Sequence, residues 1–146
     1  CGISHDMMTG FPSESERDHQ DILSLMEEVK YDFGYMFAYS ERPGTYAARH
    51  FEDDISPDIK QRRLEEIITL QQKHSLTRNE RFLNQECSVL IDKSSKKSNE
   101  FWSGRTSENN VVVFPKYEFS LGEIVNVKVN DCTTATLIGD INKVKA

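Results

Sequence analysis

The feature that most restricts the fold is a change of periodicity near residue 87. Before this point apolar residues recur at helical spacing, whereas after it short β-branched and aromatic runs alternate with polar turns. These runs predict strands over residues 87–92, 100–106, 111–114, 123–131 and 136–142. Several short strands in so short a stretch predict a small closed barrel, because closure removes the exposed edges of the sheet.

The first part of the chain predicts a β-α-β unit. A short run over 3–9 ends at a Gly-Phe-Pro turn, after which Ser15 and Asp18 have the pattern of a helix N-cap with an acidic first turn. The apolar spacing predicts a helix over 16–30, and the apolar run 35–39 is typical of a strand covered on both faces. Such a unit implies two parallel strands joined by a right-handed crossover.

A second helix is predicted to link the two parts. Ser56 is a suitable N-cap and Pro57 suits the first helical position, so we expect a helix that continues to about residue 82. Its predicted buried face consists of Ile59, Leu64, Ile67, Ile68 and Gln71, and its predicted solvated face of Arg62, Arg63, Glu65, Glu66 and Lys73. The chain is thus expected to divide into residues 1–55, a linking helix 56–83 and a barrel 84–146.

The loops that follow the two parallel strands are candidate ligand sites, because the carboxyl ends of parallel strands meet at one edge. One loop contains Glu14, and the other contains Arg42 just before a Pro-Gly turn that fixes the origin of its side chain. Arg42 is equally consistent with an anion-binding residue and with a structural salt bridge. A weaker hypothesis makes Arg42 and Glu14 the active pair of an unrelated enzyme. It is weaker because no nucleophile or base accompanies them.

Charge is unevenly distributed along the chain. The formal net charge of −6 argues against general polyanion binding, but the excess of acid lies in the first half, and residues 83–146 hold equal numbers of basic and acidic side chains. Basic residues gather around a predicted hairpin at 104–115, where they would suit phosphate groups; they are Lys93, Lys96, Lys97, Arg105 and Lys116. The alternative is that these lysines serve only to keep the protein soluble.

The tip of this hairpin carries hydrogen-bonding groups. Asn109 and Asn110 tolerate a left-handed backbone. They lie close to Arg105 and Thr106 in sequence, so that together these residues can offer several hydrogen-bond donors to a phosphate or a base edge. A solvated tip without a ligand is the alternative. Three aromatic residues are candidates for stacking on bases, with core packing favoured slightly for each: Phe101, Trp102 and Tyr117.

The cysteines and histidines give no metal-binding pattern. Cys1, Cys87 and Cys132 are far apart, are odd in number and form no disulfide framework. No secretory signal or membrane-length apolar run occurs, so we expect a cytosolic protein without membrane contact. Because the sequence lacks an initiator Met and begins inside a predicted strand, we interpret it as an excised segment.

Three stretches, taken in order, resemble the radical S-adenosylmethionine methylthiotransferases. Residues 6–15 and 37–47 are similar to two successive late strands of that family's catalytic barrel, each with its following loop. Residues 104–114, followed by Leu121 and Gly122, resemble its C-terminal TRAM domain, a small RNA-binding β-barrel. The resemblance implies an α+β chain in two parts: the β-α-β end of a partial radical-SAM (β/α) barrel with a linking helix, then a five-stranded antiparallel, OB-like barrel.

The resemblance is greater to the family members that act on tRNA than to those that act on a ribosomal protein. It implies methylthio transfer to C2 of N6-isopentenyladenosine beside the anticodon, S-adenosylmethionine and two 4Fe-4S clusters as cofactors, and the tRNA anticodon stem-loop as partner. The implied RNA-binding residues are Lys93, Lys96, Lys97, Arg105, Thr106, Asn109, Asn110 and Lys116. The implied active-site wall comprises Gly10, Pro12, Glu14, Tyr39, Arg42, Gly44 and Thr45.

Two departures from the family pattern limit what this chain is expected to do. Ser13 stands where the family has Gly, which removes free access to positive φ and is expected to alter the loop. The cluster cysteines of the family lie upstream of the matched region, so the chain alone is expected to bind no iron and to be inactive. A non-catalytic RNA-binding module is the alternative. The complete enzyme is expected to be monomeric, whereas the exposed sheet edge would let this segment self-associate.

Overall fold

The computed structural model describes residues 1–96 and 98–141. The chain divides into two compact units, Ile3–His74 and a second unit of Cys1–Gly2 with the residues from Ser75 onward. The helices are α1 (Glu16–Val29), α2 (Tyr46–His50) and α3 (Pro57–Glu80). The strands are β1 (Ser4–Thr9), β2 (Phe33–Ala38), β3 (Glu86–Ser94), β4 (Phe101–Arg105), β5 (Val111–Pro115), β6 (Ile124–Cys132) and β7 (Leu137–Ile141).

The unit Ile3–His74 contains the predicted β-α-β arrangement. β1 and β2 pair in parallel, with Ser4 beside Phe33 at one end of the register. α1 begins as predicted, because the Ser15 hydroxyl accepts a hydrogen bond from the Asp18 N–H while the Asp18 carboxylate accepts from the Ser15 N–H. The helix ends at Lys30, which adopts the left-handed conformation common at helix C-termini.

One face of this two-stranded sheet is exposed. Met8, Tyr35 and Phe37 keep 50%, 63% and 51% of their surface accessible. The alternate positions, which include His5 and Thr9, lie on the covered face, where His5 Nε2 is 2.9 Å from Gln71 Oε1 of α3. The prediction that β2 is covered on both faces is therefore wrong for the residues described, because here the helices cover only one side of the sheet.

The buried stripe of α3 in this unit is mostly polar. Its members are Lys60, Arg63, Ile67, Gln71 and His74, each 8% exposed or less. Ile67 and Gln71 confirm part of the predicted buried face, but Ile59 is 39% exposed and Arg63, which was predicted to be solvated, is buried. The reason is that the stripe faces carboxylates, such as those of Asp53 and Glu14, and backbone carbonyls, such as that of Tyr31, so that polar and charged side chains are better matched to it than apolar ones.

The unit from Ser75 onward contains the predicted barrel. Its strands close in the order β3-β4-β5-β7-β6, and each lies within a few residues of its predicted position, although residue 142 of the last predicted strand lies outside the described residues. β5 and β7 pair in parallel, with Val113 beside Ile138, so the barrel is mixed rather than wholly antiparallel as expected. A closed ring with an odd number of strands cannot alternate direction all the way round, and at least one pair must be parallel.

The core of the barrel comes from the inward positions of its strands. These side chains are Val89, Ile91, Val112, Phe114, Val125, Val127, Val129 and Leu137. β4 approaches β3 closely at Gly104, where a Cβ atom would collide with the Leu90 carbonyl oxygen and meet Val89 Cγ1 at 2.6 Å. Gly104 is therefore required by the spacing of two strands and not by its backbone angles. No helix within the described residues has the length and apolar character needed to cross a membrane.

Candidate nucleic-acid interface

A groove of about 570 Å³ lies on the outer surface of the barrel. Its floor is formed by apolar side chains of three neighbouring strands: Phe101 of β4, Val111 and Val113 of β5, and Ile138 of β7. Strand alternation explains this floor, since Val112 and Phe114 point into the core and the residues between them must point outward. β5 is therefore apolar on both faces, one used by the core and one by the groove.

The two walls of the groove differ in chemistry. One wall is the end of β3 and the segment after it, which contribute Lys93, Ser95, Lys96 and Ser98. The opposite wall is the turn between β6 and β7, which contributes Thr133 and Thr136. This turn is held by its own hydrogen bonds, in which the Thr133 hydroxyl accepts from the Thr136 N–H at 3.0 Å and the Thr133 N–H donates to the Thr136 carbonyl at 2.8 Å. Basic side chains thus line one wall and hydroxyl groups line both.

The lysines of the first wall are accessible. The Lys93 side chain is 48% exposed and its Nζ lies 3.9 Å from a carboxylate oxygen of Asp92, a distance at which an exposed pair contributes little. Lys96 is exposed at the rim of the groove. Lys97, also predicted to contact RNA, lies outside the described residues. The two described lysines leave one wall able to neutralise phosphate charge.

Lys116 has a different environment from the other predicted RNA-binding lysines. Its Nζ donates a hydrogen bond to the Ser94 hydroxyl at 2.8 Å and lies 4.2 Å from the centroid of the Trp102 ring. This cation–π contact covers the Trp102 face, and the same indole packs against the barrel core. Tyr117 donates to Asp140 Oδ1 at 2.6 Å, and this hydrogen bond raises the pKa of Tyr117. Phe101 is therefore the stacking candidate that lines the groove.

The hairpin tip at residues 106–110 is fixed by internal hydrogen bonds. Asn109 adopts the left-handed conformation with φ of 71°, as its position in the turn predicts. Arg105 Nη1 donates to the Asn109 side-chain oxygen at 2.9 Å and to its carbonyl oxygen at 3.1 Å. The buried Thr106 hydroxyl accepts from the Asn110 N–H at 3.2 Å. Much of the predicted hydrogen-bonding capacity is thus used within the tip.

The tip is also tied to α3 and to the β6–β7 turn. The Asn110 side-chain amide donates to Asn79 Oδ1 at 3.3 Å, and the Asn79 amide donates to the Thr133 carbonyl at 2.8 Å. Asn79 is 6% exposed, so it is a buried bridge between the two loops. The Arg105 side chain remains 42% exposed, with Nε 3.7 Å from Asp92. Its outer surface can still meet a phosphate, although part of its charge is balanced.

The predicted RNA-binding residues therefore fall into two groups. Lys93 and Lys96 border the groove, whereas the remainder of the described set lies at the tip or beside Trp102. Sequence reasoning missed the apolar floor and the Thr133–Thr136 turn. The signal was the run Val111–Pro115, because a strand of a small barrel with apolar residues at consecutive positions must expose some of them.

In the other unit, Glu14 anchors the loop after β1. Its carboxylate accepts hydrogen bonds from Arg63 Nη1 at 2.8 Å, from the Thr9 hydroxyl at 3.0 Å and from the Gly10 N–H at 2.9 Å. The Arg63 and Glu14 side chains are 5% and 8% exposed. Glu14 is thus saturated with donors, and its partner is Arg63 and not Arg42.

The loop keeps the positive φ angles that the family's glycine would allow. Gly10 has φ of 73° and Ser13 has φ of 70°. The expectation that Ser13 alters the loop by avoiding this region is wrong, because the Ser13 N–H donates to Asp54 Oδ1 at 2.7 Å and this bond stabilises the left-handed residue. The neighbouring Pro12 is buried.

The loop after β2 is held at its base and exposed at its end. Tyr39 is 9% exposed and packs edge-to-face on Phe11 at a ring-centroid distance of 5.2 Å. Thr45 caps α2, since its hydroxyl accepts from the Ala48 N–H and donates to the Arg42 carbonyl oxygen. Gly44 has φ of 86° and Arg42 is exposed. Arg42 is therefore the charged side chain of the predicted wall that faces solvent.

The three thiols do not form a cluster-binding set. Cys1, Cys87 and Cys132 are separate free thiols, and burial raises the pKa of both Cys87 and Cys132 above its usual range. A 4Fe-4S cluster needs several thiolates at one place, so these residues do not fit one. Within residues 1–96 and 98–141, no group of three or more metal-ligating His, Cys, Asp or Glu side chains comes together.

Comparison with known proteins shows what this chain is similar to. Residues 80–141 match the TRAM domain model. The chain is 61% identical over 140 residues to the tRNA-2-methylthio-N(6)-dimethylallyladenosine synthase of Christiangramia forsetii, a match that covers 96% of this chain and 29% of that protein. The synthases of the same name from Flavobacterium psychrophilum and Bacteroides thetaiotaomicron are 56% and 49% identical over 96% of this chain, which covers 29% and 31% of their lengths.

The matched region extends over both units, whereas the chain spans less than a third of the length of these relatives. Both the barrel and the β-α-β unit are thus similar in sequence to these synthases. The chain is therefore similar over nearly its whole length to one part of these synthases, and residues 80–141 match the TRAM domain.

Proposed function

We propose that this chain is part of a tRNA-modifying methylthiotransferase and that it supplies tRNA docking and one wall of the active site. The observation that carries the proposal is the 61% identity, over 96% of the chain, to a relative named for the synthesis of 2-methylthio-N(6)-dimethylallyladenosine in tRNA. The substrate is then an N6-isopentenyladenosine beside the anticodon, and the reaction installs a methylthio group at C2. The names of these relatives favour tRNA over a ribosomal protein as substrate.

In this proposal the barrel docks the anticodon stem-loop. Lys93 and Lys96 contact phosphates along one wall of the groove, and the exposed surface of Arg105 contacts a phosphate near the hairpin tip. Lys97, Asn109 and Lys116 complete the proposed contact surface. Thr106 and Asn110 act by fixing the tip, which the hydrogen bonds between them support.

The loops of the other unit form the proposed wall. Gly10, Pro12 and Tyr39 shape its surface, and Gly44 and Thr45 set the turn from which Arg42 reaches an anionic group of cofactor or substrate. The proposed enzyme uses S-adenosylmethionine and two 4Fe-4S clusters, which other parts of the longer protein bind, because the thiols of this chain do not come together. On its own, this chain is proposed to be catalytically inactive.

The docking role is tested by measuring binding of the chain to a tRNA anticodon stem-loop over a series of salt concentrations. Lys96→Ala and Arg105→Ala should each weaken binding and reduce the salt slope by about one unit per lost phosphate contact. Lys73→Ala is the matched control, because Lys73 is 70% exposed and lies in the other unit. Unchanged affinity and slope in both barrel variants would contradict the docking role.

The catalytic role requires the longer protein that contains this chain. After reconstitution with iron and sulfide, it should convert isopentenylated tRNA to the 2-methylthio form in the presence of S-adenosylmethionine and a reductant. Mass spectrometry of digested nucleosides measures the product. If the isopentenylated nucleoside remains unmodified while the clusters are shown spectroscopically to be present, the proposed reaction is wrong, and a non-catalytic RNA-binding module becomes the better account.

A further inference from the structure

We propose that the groove over β4, β5 and β7 binds unpaired RNA bases, with Phe101 stacking on a base and the lysine wall following the phosphates. This inference rests on the proposed RNA-docking function and adds which part of the RNA is bound. It concerns the barrel surface between the β3–β4 segment and the β6–β7 turn.

The composition of the groove matches an unpaired nucleotide. An unpaired base offers an apolar face and a polar edge, and the groove offers an apolar floor bordered by hydroxyl groups. Base faces in a duplex are stacked inside the helix, so an apolar floor gains nothing from a duplex. Phe101 is half-buried and lines the groove.

The unequal walls give the bound strand a direction across the groove. Phosphates are expected on the side of Lys93 and Lys96, where charge complementarity is present. The base then points across the floor toward the Thr133–Thr136 turn, where the Thr136 hydroxyl can meet its edge. In OB-folds, the second and third strands and the two flanking loops bind oligonucleotides, and the strand order found here places the groove at the corresponding position.

The first experiment compares single-stranded and double-stranded RNA with the complete 146-residue chain. The probes are a fluorescently labelled oligouridylate and the same strand annealed to oligoadenylate, and fluorescence anisotropy measures both affinities at one salt concentration. The single strand should bind about tenfold tighter than the duplex. Phe101→Leu keeps an apolar side chain and removes the ring, and it should weaken single-strand binding by about fivefold or more.

A matched pair of variants separates the groove from general charge effects. Ile138 and Ile124 are both exposed apolar residues of the barrel, at 37% and 69%, but only Ile138 is among the residues that line the groove. Ile138→Glu and Ile124→Glu add the same negative charge. The first should weaken binding of oligouridylate by about tenfold and the second by less than about threefold.

The outcomes distinguish this inference from the proposed function. If Lys96→Ala weakens binding while Phe101→Leu and Ile138→Glu bind oligouridylate like the unaltered chain, RNA docking stands and the groove assignment is overturned. If the unaltered chain binds neither oligouridylate nor the anticodon stem-loop, the docking function fails and the groove assignment fails with it. Equal affinity for single strand and duplex also overturns the assignment.

A second copy of the chain is the competing occupant of the groove. If the chain is a dimer in solution that Ile138→Glu converts to a monomer while oligouridylate affinity is unchanged, the groove is a protein interface and the inference is wrong. Thermal unfolding of each variant checks its fold. Phe101→Leu, which preserves side-chain volume more closely, keeps the inference testable if Ile138→Glu fails to fold.

Discussion

Glu14 and Arg63 form a buried ion pair, with 2.8 Å between Glu14 Oε1 and Arg63 Nη1, that joins the loop after β1 to α3. The two residues are separated by 49 positions in sequence, and the Arg63 guanidinium also donates to the Glu14 carbonyl oxygen at 3.0 Å. Removing one partner of a buried pair leaves an uncompensated charge, which is worse for stability than the absence of both. The pair therefore fixes the conformation of the loop that carries Gly10 and Pro12.

Arg63→Ala should reduce the free energy of unfolding of the chain by about 3–5 kcal/mol, because the Glu14 carboxylate loses its buried cation. Urea unfolding followed by circular dichroism measures the change. The control is Arg62→Ala, since Arg62 is the neighbouring arginine and its ion pairs with Glu16 and Glu66 are exposed. A loss in Arg63→Ala no larger than in Arg62→Ala would show that the buried pair does not anchor the loop.

Stability should fall as the pH is lowered below about 5. A hydrogen bond from Arg62 lowers the pKa of Glu16 from 4.5 to about 2, and hydrogen bonds with His19 and then Arg62 lower the pKa of Glu66 from the same ordinary value. Because the folded-state pKa values lie below the unfolded ones, these groups stabilise the fold above the unfolded pKa and lose that effect as the pH falls through the folded values.

Urea unfolding midpoints measured between pH 7 and pH 2 test this dependence, because this interval contains both the ordinary Glu16 pKa of 4.5 and its folded-state pKa of about 2. Glu66→Gln should make the unfolding midpoint fall less steeply at acidic pH, because the amide cannot titrate. Glu118→Gln removes the same charge at an exposed position of the barrel and serves as the control. If the urea midpoint stays constant from pH 7 to pH 2, Glu16 and Glu66 do not make the fold sensitive to acid.

Gly104→Ala should destabilise the barrel by about 1–3 kcal/mol, because the added methyl group forces β4 away from the Leu90 carbonyl and the Val89 side chain. Thermal unfolding monitored by circular dichroism measures the effect. Ser107→Ala, at an exposed position in the same hairpin, is the control and should change the midpoint little. Equal midpoints for the two variants would mean that the strands accommodate the methyl group without loss.

Asn109→Gly and Asn109→Val should differ in stability although both remove the side-chain hydrogen bond from Arg105. Glycine adopts the φ of 71° freely, whereas a β-branched residue in this region is destabilised by about 1–2 kcal/mol. Differential scanning calorimetry of the two variants measures the difference directly. If Asn109→Val is as stable as Asn109→Gly, the tip does not depend on a left-handed residue at this position.

Local patterns could be predicted from the sequence where the cause is local. Ser15 and Asp18 form their capping box within one turn, and Asn109 adopts its left-handed conformation within one loop. The barrel strands followed from alternation and turn residues. The existence of a parallel pair could also have been predicted, because closure of an odd number of strands requires one, whereas its location between β5 and β7 could not.

The features that sequence reasoning missed depend on distant partners. Arg63 is buried because Glu14, far away in sequence, meets it, and no periodicity of α3 reveals that contact. The groove floor depends on which face of β5 points outward once the barrel closes. Lys116 has the same chemistry as Lys96 in sequence, and only its position over Trp102 distinguishes the two.

The bridge formed by Asn79 has a consequence for how RNA would be recognised. Because one buried amide holds both the hairpin tip, through Asn110, and the groove wall, through the Thr133 carbonyl, these surfaces are already ordered before any ligand arrives. The protein then loses little conformational entropy on association, and the adjustment of shape falls on the RNA. If anticodon loops bind as proposed, selectivity among them would follow from how readily each loop unstacks a base, so that RNA flexibility acts as part of the recognition signal.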